Sequence, residues 1–221
     1  MNGEINLDWI VDNFAKNNFT FFEIGLAGLP WTISYQLKKL IPHGNFHAFE
    51  AAEYWHESNK RCAAEIGINY HPHAISDIDG EVLFYPSLTQ SGQTHKESSS
   101  IFELRKSDGF DPLHKIYGEP YMVNSMKLET FCRENNITPD FIHIDVEGAE
   151  LKVLSNMGKY KPKCIWSEIS GFAHYDTKID IEQFNSLMKS MGYYLVYIDP
   201  TFGGADALYC LEDFEITNYN I

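Results

Sequence analysis

The sequence is poor in several things, and each shortage narrows what it can be. Cysteine occurs only at Cys62, Cys132, Cys164 and Cys210, with no C-x-x-C pair. That argues against a zinc site or redox dithiol and leaves buried free thiols as the expectation. Basic residues number 17 against 31 acidic ones, a formal charge of −14. Nucleic-acid binding draws on clustered Lys and Arg, so no nucleic-acid partner is expected. No apolar run approaches the roughly 20 residues of a membrane helix, so no membrane span is expected. The start, Met1-Asn2-Gly3-Glu4-Ile5-Asn6, lacks the basic residues and apolar stretch of a secretory signal. A cytoplasmic location is therefore expected. Internal repeats and heptad seams are also missing.

What is there is a chain of 221 residues, 44% apolar and 22% charged, the size and make-up of one α/β domain spanning residues 1–221. Residues 1–18 contain an opening helix, with Leu7, Ile10, Val11 and Phe14 at helical spacing. Strands are expected at Phe19–Ile24, Asn45–Phe49, Ile68–Ala74, Glu81–Tyr85, Phe141–Val146, Cys164–Ile169, Tyr193–Ile198 and Ala207–Cys210. Helices are expected at Trp31–Leu40, Glu53–Ile66, Lys127–Glu134, Glu150–Met157 and Ile181–Met191. The polar run Ser87–Ser100 and the irregular stretch after it make 87–120 an inserted loop region and a candidate substrate lid. Alternating strands and helices predict a mostly parallel sheet with helices on both faces. The last two strands are joined by a short turn, so the final strand should run antiparallel.

Three segments carry chemistry. Glu23-Ile24-Gly25-Leu26-Ala27-Gly28 falls where the first strand should end, and glycines there let a backbone approach a ligand beside a helix N-terminus. Glu50 ends the second strand about 20 residues later, the place of a carboxylate that holds ribose hydroxyls. In Phe141–Glu150, His143 and Asp145 share one strand face, and Asp145 lies at the carboxyl end, where open α/β sheets bind ligands. The plainer alternatives are a strand-to-helix turn, an exposed glutamate and a helix cap.

These motifs, in this order, resemble the FkbM-type family of S-adenosylmethionine-dependent methyltransferases. The clearest match is Ile144-Asp145-Val146-Glu147-Gly148-Ala149-Glu150 with Val153-Leu154; Ala48-Phe49-Glu50, Ala74-Ile75-Ser76-Asp77, Leu128-Glu129-Thr130-Phe131 and Trp166-Ser167-Glu168 support it. The resemblance implies a Rossmann-like, seven-stranded class I methyltransferase sheet, S-adenosylmethionine as cofactor, and O-methylation of a small-molecule, sugar or glycan hydroxyl. It places Glu23, Gly25, Leu26, Ala27 and Gly28 along the cofactor's methionine part and Glu50 with Ala51 at the ribose. Ala74, Ile75 and Ser76 fall at the adenine, and Asp145 faces the methyl. Two differences stand out: Glu23 replaces the family's usual Asp, and His143 its usual Lys.

A hydroxyl needs help losing its proton, so a general base is expected, with Asp145, Glu168 and His174 as candidates. Trp31, Ser99, Ser100, His143 and Glu147 are the candidate acceptor contacts, and Phe202 a further aromatic one. Asp145 and Glu168 could instead hold a divalent cation, but no dedicated cage is visible and none is predicted. His71 and His73 share a strand face, a pairing more often structural than metal-binding. Oligomeric state is not legible. A nicotinamide oxidoreductase would show a tighter G-x-G-x-x-G turn, which this sequence lacks. A catalytically silent Rossmann-like nucleotide- or metabolite-binding module is the remaining alternative.

Overall fold

The computed structural model describes residues 6–15, 18–88, 99–103, 116–170, 181–201 and 204–217. Its elements, in order, are α1 (Leu7–Phe14), β1 (Thr20–Ile24), α2 (Ile33–Leu40), β2 (Asn45–Phe49), α3 (Glu53–Ile66), β3 (Asn69–His71), β4 (Ala74–Ser76) and β5 (Gly80–Phe84). There follow β6 (Ser87–Leu88), β7 (Ile116–Tyr117), β8 (Tyr121–Lys127), α4 (Leu128–Asn135), β9 (Phe141–Ile144), α5 (Glu150–Leu154), β10 (Cys164–Ser170), α6 (Ile181–Ser190), β11 (Tyr193–Thr201) and β12 (Gly204–Leu211).

Seven strands form the main sheet in the order β11-β12-β10-β9-β1-β2-β3. β12 runs antiparallel to both its neighbours, while β3, β2, β1, β9 and β10 are mutually parallel. This is the expected class I methyltransferase arrangement with its antiparallel last strand.

Period-two alternation sorts the strand residues between two apolar layers. Phe21, Phe141, Trp166 and Leu208 pack with Trp9 and Phe14 of α1 and Leu37 of α2. Phe22, Ile142, Ile165 and Tyr209 pack on the other face with Phe131 of α4, Val153 of α5 and Phe184 of α6. Most of these side chains are fully buried, each contributing roughly 2 kcal/mol. Among the described residues, no helix is long and apolar enough to cross a membrane.

The structure corrects the sequence reading in four places. The segment Ile68–Ala74 is not one strand: β3 joins the main sheet and β4 a second sheet of order β4-β8-β5. Pro72 lies at the break and has no N–H to continue a ladder. β8 was not anticipated. The Trp31–Leu40 helix is instead a 3-10 turn, Leu29–Trp31, followed by α2, whose N-cap Thr32 accepts from Tyr35 N. Cys164 and Cys210, expected as free thiols, face each other across β10 and β12 and are joined as a disulfide; Cys62 and Cys132 are free.

Candidate active site

The carboxyl ends of β1, β2 and β9 open into a cavity of about 600 Å³, a volume suited to a small-molecule ligand. Glu23, Gly25, Leu26, Ala27 and Gly28 line it, with Trp31, Glu50, Ala51, Ala74, Ile75, Ser99, Ser100, His143, Asp145 and Glu147. Ser76 is not among the lining residues; it is buried, and its hydroxyl is bonded to that of Ser125 at 2.6 Å. His174 and Phe202 lie outside the described residues, as do 89–98 and 104–115 of the expected lid.

Gly25 is required by geometry. Its φ is +80°, and an added Cβ would lie 1.8 Å from the Asp145 carbonyl oxygen. The first and fourth strands of the parallel set meet there backbone to backbone, and only a missing side chain permits it. Ala27, with φ +49°, holds a left-handed conformation unusual for alanine and places its N–H against Glu50.

Glu50 is a buried carboxylate in a backbone cradle. Its Oε2 accepts from Ala27 N and its Oε1 from Ala52 N, both at 2.7 Å. Burial raises its pKa to about 7, against the pull of these N–H groups. The N–H groups of Leu26 and Ala51 also favour its charged form, so a ribose diol would share the carboxylate with them.

Glu23 lines the cavity and has a task within the fold as well. Its carboxylate accepts from Ile33 N at 3.1 Å, Ser34 N at 3.0 Å and the Ser34 hydroxyl, so it caps α2 from across the chain. His143 Nδ1 lies 3.3 Å from its Oε1. Burial opposes the charge on Glu23, but His143 and Ser34 outweigh it and the pKa falls below its ordinary value. Glu23 thus fixes the loop that borders the cavity.

At the β9 end, carboxyl groups crowd together. Burial, then Glu168 and Glu147, raise the Asp145 pKa well above the usual carboxylate range. This crowding favours the protonated form of Asp145. Asp145 Oδ1 is buried without a hydrogen-bond partner. Glu150 accepts from Val146 N and Gly148 N through Oε1, and burial raises its pKa to about 8. The turn between them is strained: Glu147 has φ +52° and Gly148 φ +98°. No group of three or more His, Cys, Asp or Glu among the described residues is placed to hold a metal.

Ser99 and Ser100 tie the inserted region to this rim. Ser99 Oγ is 2.9 Å from Tyr54 OH, and Ser100 Oγ donates to the Glu147 carbonyl at 2.8 Å. Tyr54, Trp55, His73, Phe84 and Ile101 also line the cavity and were not anticipated. Their only sequence signal was adjacency, as with His73 before Ala74. Trp31 is 83% exposed at the cavity wall.

Residues 31–195 match the model of the methyltransferase FkbM domain. Among solved structures, the fold is similar to an FkbM methyltransferase from Methylobacillus flagellatus KT (TM-score 0.52, 10% identity), covering 87% of this chain and 43% of that one. It is similar to magnesium protoporphyrin IX methyltransferase from Synechocystis PCC 6803 with bound SAM (TM-score 0.52, 8% identity; 93% and 76% covered). A third likeness is TrmK from M. capricolum with S-adenosylhomocysteine (TM-score 0.51, 9% identity; 95% and 69% covered). No curated protein matches the sequence.

Proposed function

This chain belongs to the FkbM methyltransferase family, and from that premise we propose that it binds S-adenosylmethionine in the cavity and methylates a hydroxyl of a small molecule, most suitably a sugar or glycan. The observation that carries the reading is Glu50, a buried carboxylate at the end of β2 that lines the cavity and is fixed in place by Ala27 N and Ala52 N, where a ribose diol would meet it. The residues fit the cofactor in two further respects. Gly25 keeps the cavity floor free of a side chain, and Asp145 presents a buried oxygen without a partner. Ala74 and Ile75 border the cavity where the adenine edge is expected.

When bound, the cofactor supplies an activated methyl group on a sulfonium. The protein's part is to orient the acceptor and remove its proton. Asp145, which lines the cavity, is the base, with Glu168 beside it: its carboxylate takes the hydroxyl hydrogen as the acceptor oxygen forms its new bond to carbon and the methyl's bond to sulfur breaks. Burial makes Asp145 more basic than an ordinary carboxylate. Trp31, Ser99, Ser100, His143 and Glu147 surround the acceptor.

The test is transfer of labelled methyl from S-adenosylmethionine to a panel of sugars and glycans. Asp145→Asn keeps the shape and removes the base, so turnover of any acceptor found should fall at least about a hundredfold. Turnover unchanged in that variant would remove Asp145 from the role.

A further inference from the structure

The glycine-rich loop that walls the cavity is held from behind by one side chain of α3. Asn59 is fully buried and is not among the residues that line the cavity. Its Oδ1 accepts from Leu29 N at 2.9 Å, and its Nδ2 donates to Ala27 O at 2.7 Å. These bonds span 30 and 32 residues of sequence and converge on the one loop. Trp55, one turn earlier on the same face of α3, lies against Gly28, where an added Cβ would sit 3.0 Å from its ring. Asparagine is a poor choice for the middle of a helix and is costly to bury unless its amide is bonded. Here its carbonyl and its amide nitrogen both reach the backbone of another segment, so the position calls for an amide.

The loop needs holding at that point. Ala27 has a φ of +49°, a conformation that alanine leaves unless its surroundings over-determine it. Two side chains do so. Glu50 Oε2 accepts from the Ala27 N–H at 2.7 Å, and Asn59 donates to the Ala27 carbonyl. Ala27 is therefore the link between a side chain behind the wall and the carboxylate that lines the cavity.

We infer that Asn59 is a positioning residue of the cofactor site: by fixing the Ala27 carbonyl and the Leu29 N–H it holds Ala27 in its left-handed form, and through the Ala27 N–H it sets Glu50 where the cofactor's ribose is met. This rests on the reading of the cavity as a cofactor site and adds to it a residue that does not line the cavity. Loss of Asn59 frees Ala27 to leave the left-handed region. Its N–H then turns away from Glu50, and the carboxylate loses one of its anchors. The ligand must re-order loop and carboxylate together, and that ordering costs affinity.

The experiment titrates S-adenosylhomocysteine into the parent, Asn59→Ala, Asn59→Asp, Glu50→Ala and the double variant Asn59→Ala, Glu50→Ala, each checked for folding by circular dichroism. Asn59→Ala should fold and bind at least about tenfold more weakly than the parent. In the Glu50→Ala background the same change should cost less than about threefold, because the group through which it acts is gone. Asn59→Asp keeps the shape and the acceptor for Leu29 N, but its carboxyl can donate to Ala27 O only when protonated. Burial raises the pKa of such a group, as it does at Glu50 and Glu150. Asn59→Asp should therefore bind at least about threefold better than Asn59→Ala at about pH 6, and no better at about pH 8. Parent-like binding by Asn59→Ala, a cost as large without Glu50 as with it, or an Asn59→Asp variant that gains nothing at the lower pH would each overturn the inference. So would variants that do not fold, since Asn59 would then serve the fold as a whole. A folded parent that does not bind removes the cofactor reading itself, and the parent's own titration tells the two failures apart.

Discussion

Gly25 shows how much one residue decides. It sits where β1 hands the chain to the cavity wall, at a φ of +80° and against the Asp145 carbonyl. Gly25→Ala would add both left-handed strain and a backbone clash. We expect a loss of about 3 kcal/mol, or a fall in Tm of roughly 6–12 °C, in a thermal melt. A Tm within one degree of the parent would mean that β1 and β9 do not meet as described. Glu50 was legible at this scale because spacing alone put it at the end of β2. Glu23 was less so. Its position was read correctly as the end of β1, but its partners are the N–H groups of α2, and nothing in the sequence says that a carboxylate ten residues upstream will cap that helix.

At the scale of elements, the sequence is clearest where burial is one-sided and continuous. β1, β2, β9 and β10 were all visible as short apolar runs. β8 was hidden because its pattern is inverted: Ser125 points inward to meet Ser76, while Met122 is 49% exposed opposite Leu83. A polar residue inside and an apolar one outside cancel the period-two signal. The Ile68–Ala74 run looked continuous because register change leaves no compositional mark beyond Pro72. The Cys164–Cys210 pairing was also out of reach, since it depends on the register of β10 against β12. It gives a simple expectation. Alkylation in denaturant without reductant should label Cys62 and Cys132 only, with Cys164 and Cys210 labelled after reduction. Four labels before reduction would contradict the disulfide.

Over the whole molecule, buried titratable groups set how stability depends on pH. Glu50, Glu150 and Asp206 have pKa values raised to about 7, 8 and 6, and Asp145 is raised as well. For each, the folded state holds the proton more tightly than the unfolded chain, so stability is present at low pH and lost as pH rises through those values. His47 and His71 are lowered by burial to about 4 and 3, and His73 is lowered too. For these, stability is present above the ordinary histidine value of 6.5 and lost as pH falls towards the folded values. Glu23, also lowered, adds to the acid loss below 4.5. The two sets oppose each other between 4.5 and 6.5, so Tm should be broadly maximal there and fall on both sides. Glu150→Gln keeps the acceptor for Val146 N and Gly148 N without the buried charge, so it should flatten the decline above neutral pH. A Tm that climbs steadily to pH 9 would show these carboxyl groups to be solvated.

The class I fold and the family membership were legible from order and motif, and both stand. The site's chemistry depends on long-range placement: Gly25 meets Asp145 only because β9 pairs with β1. The central claim is that this cavity holds the methyltransferase cofactor, and its most direct test is calorimetric titration with S-adenosylhomocysteine. The parent protein should bind it, and Glu50→Ala, which removes both accepting oxygens, should weaken binding at least about tenfold. A folded parent that does not bind, or a Glu50→Ala variant that binds equally well, would contradict the account.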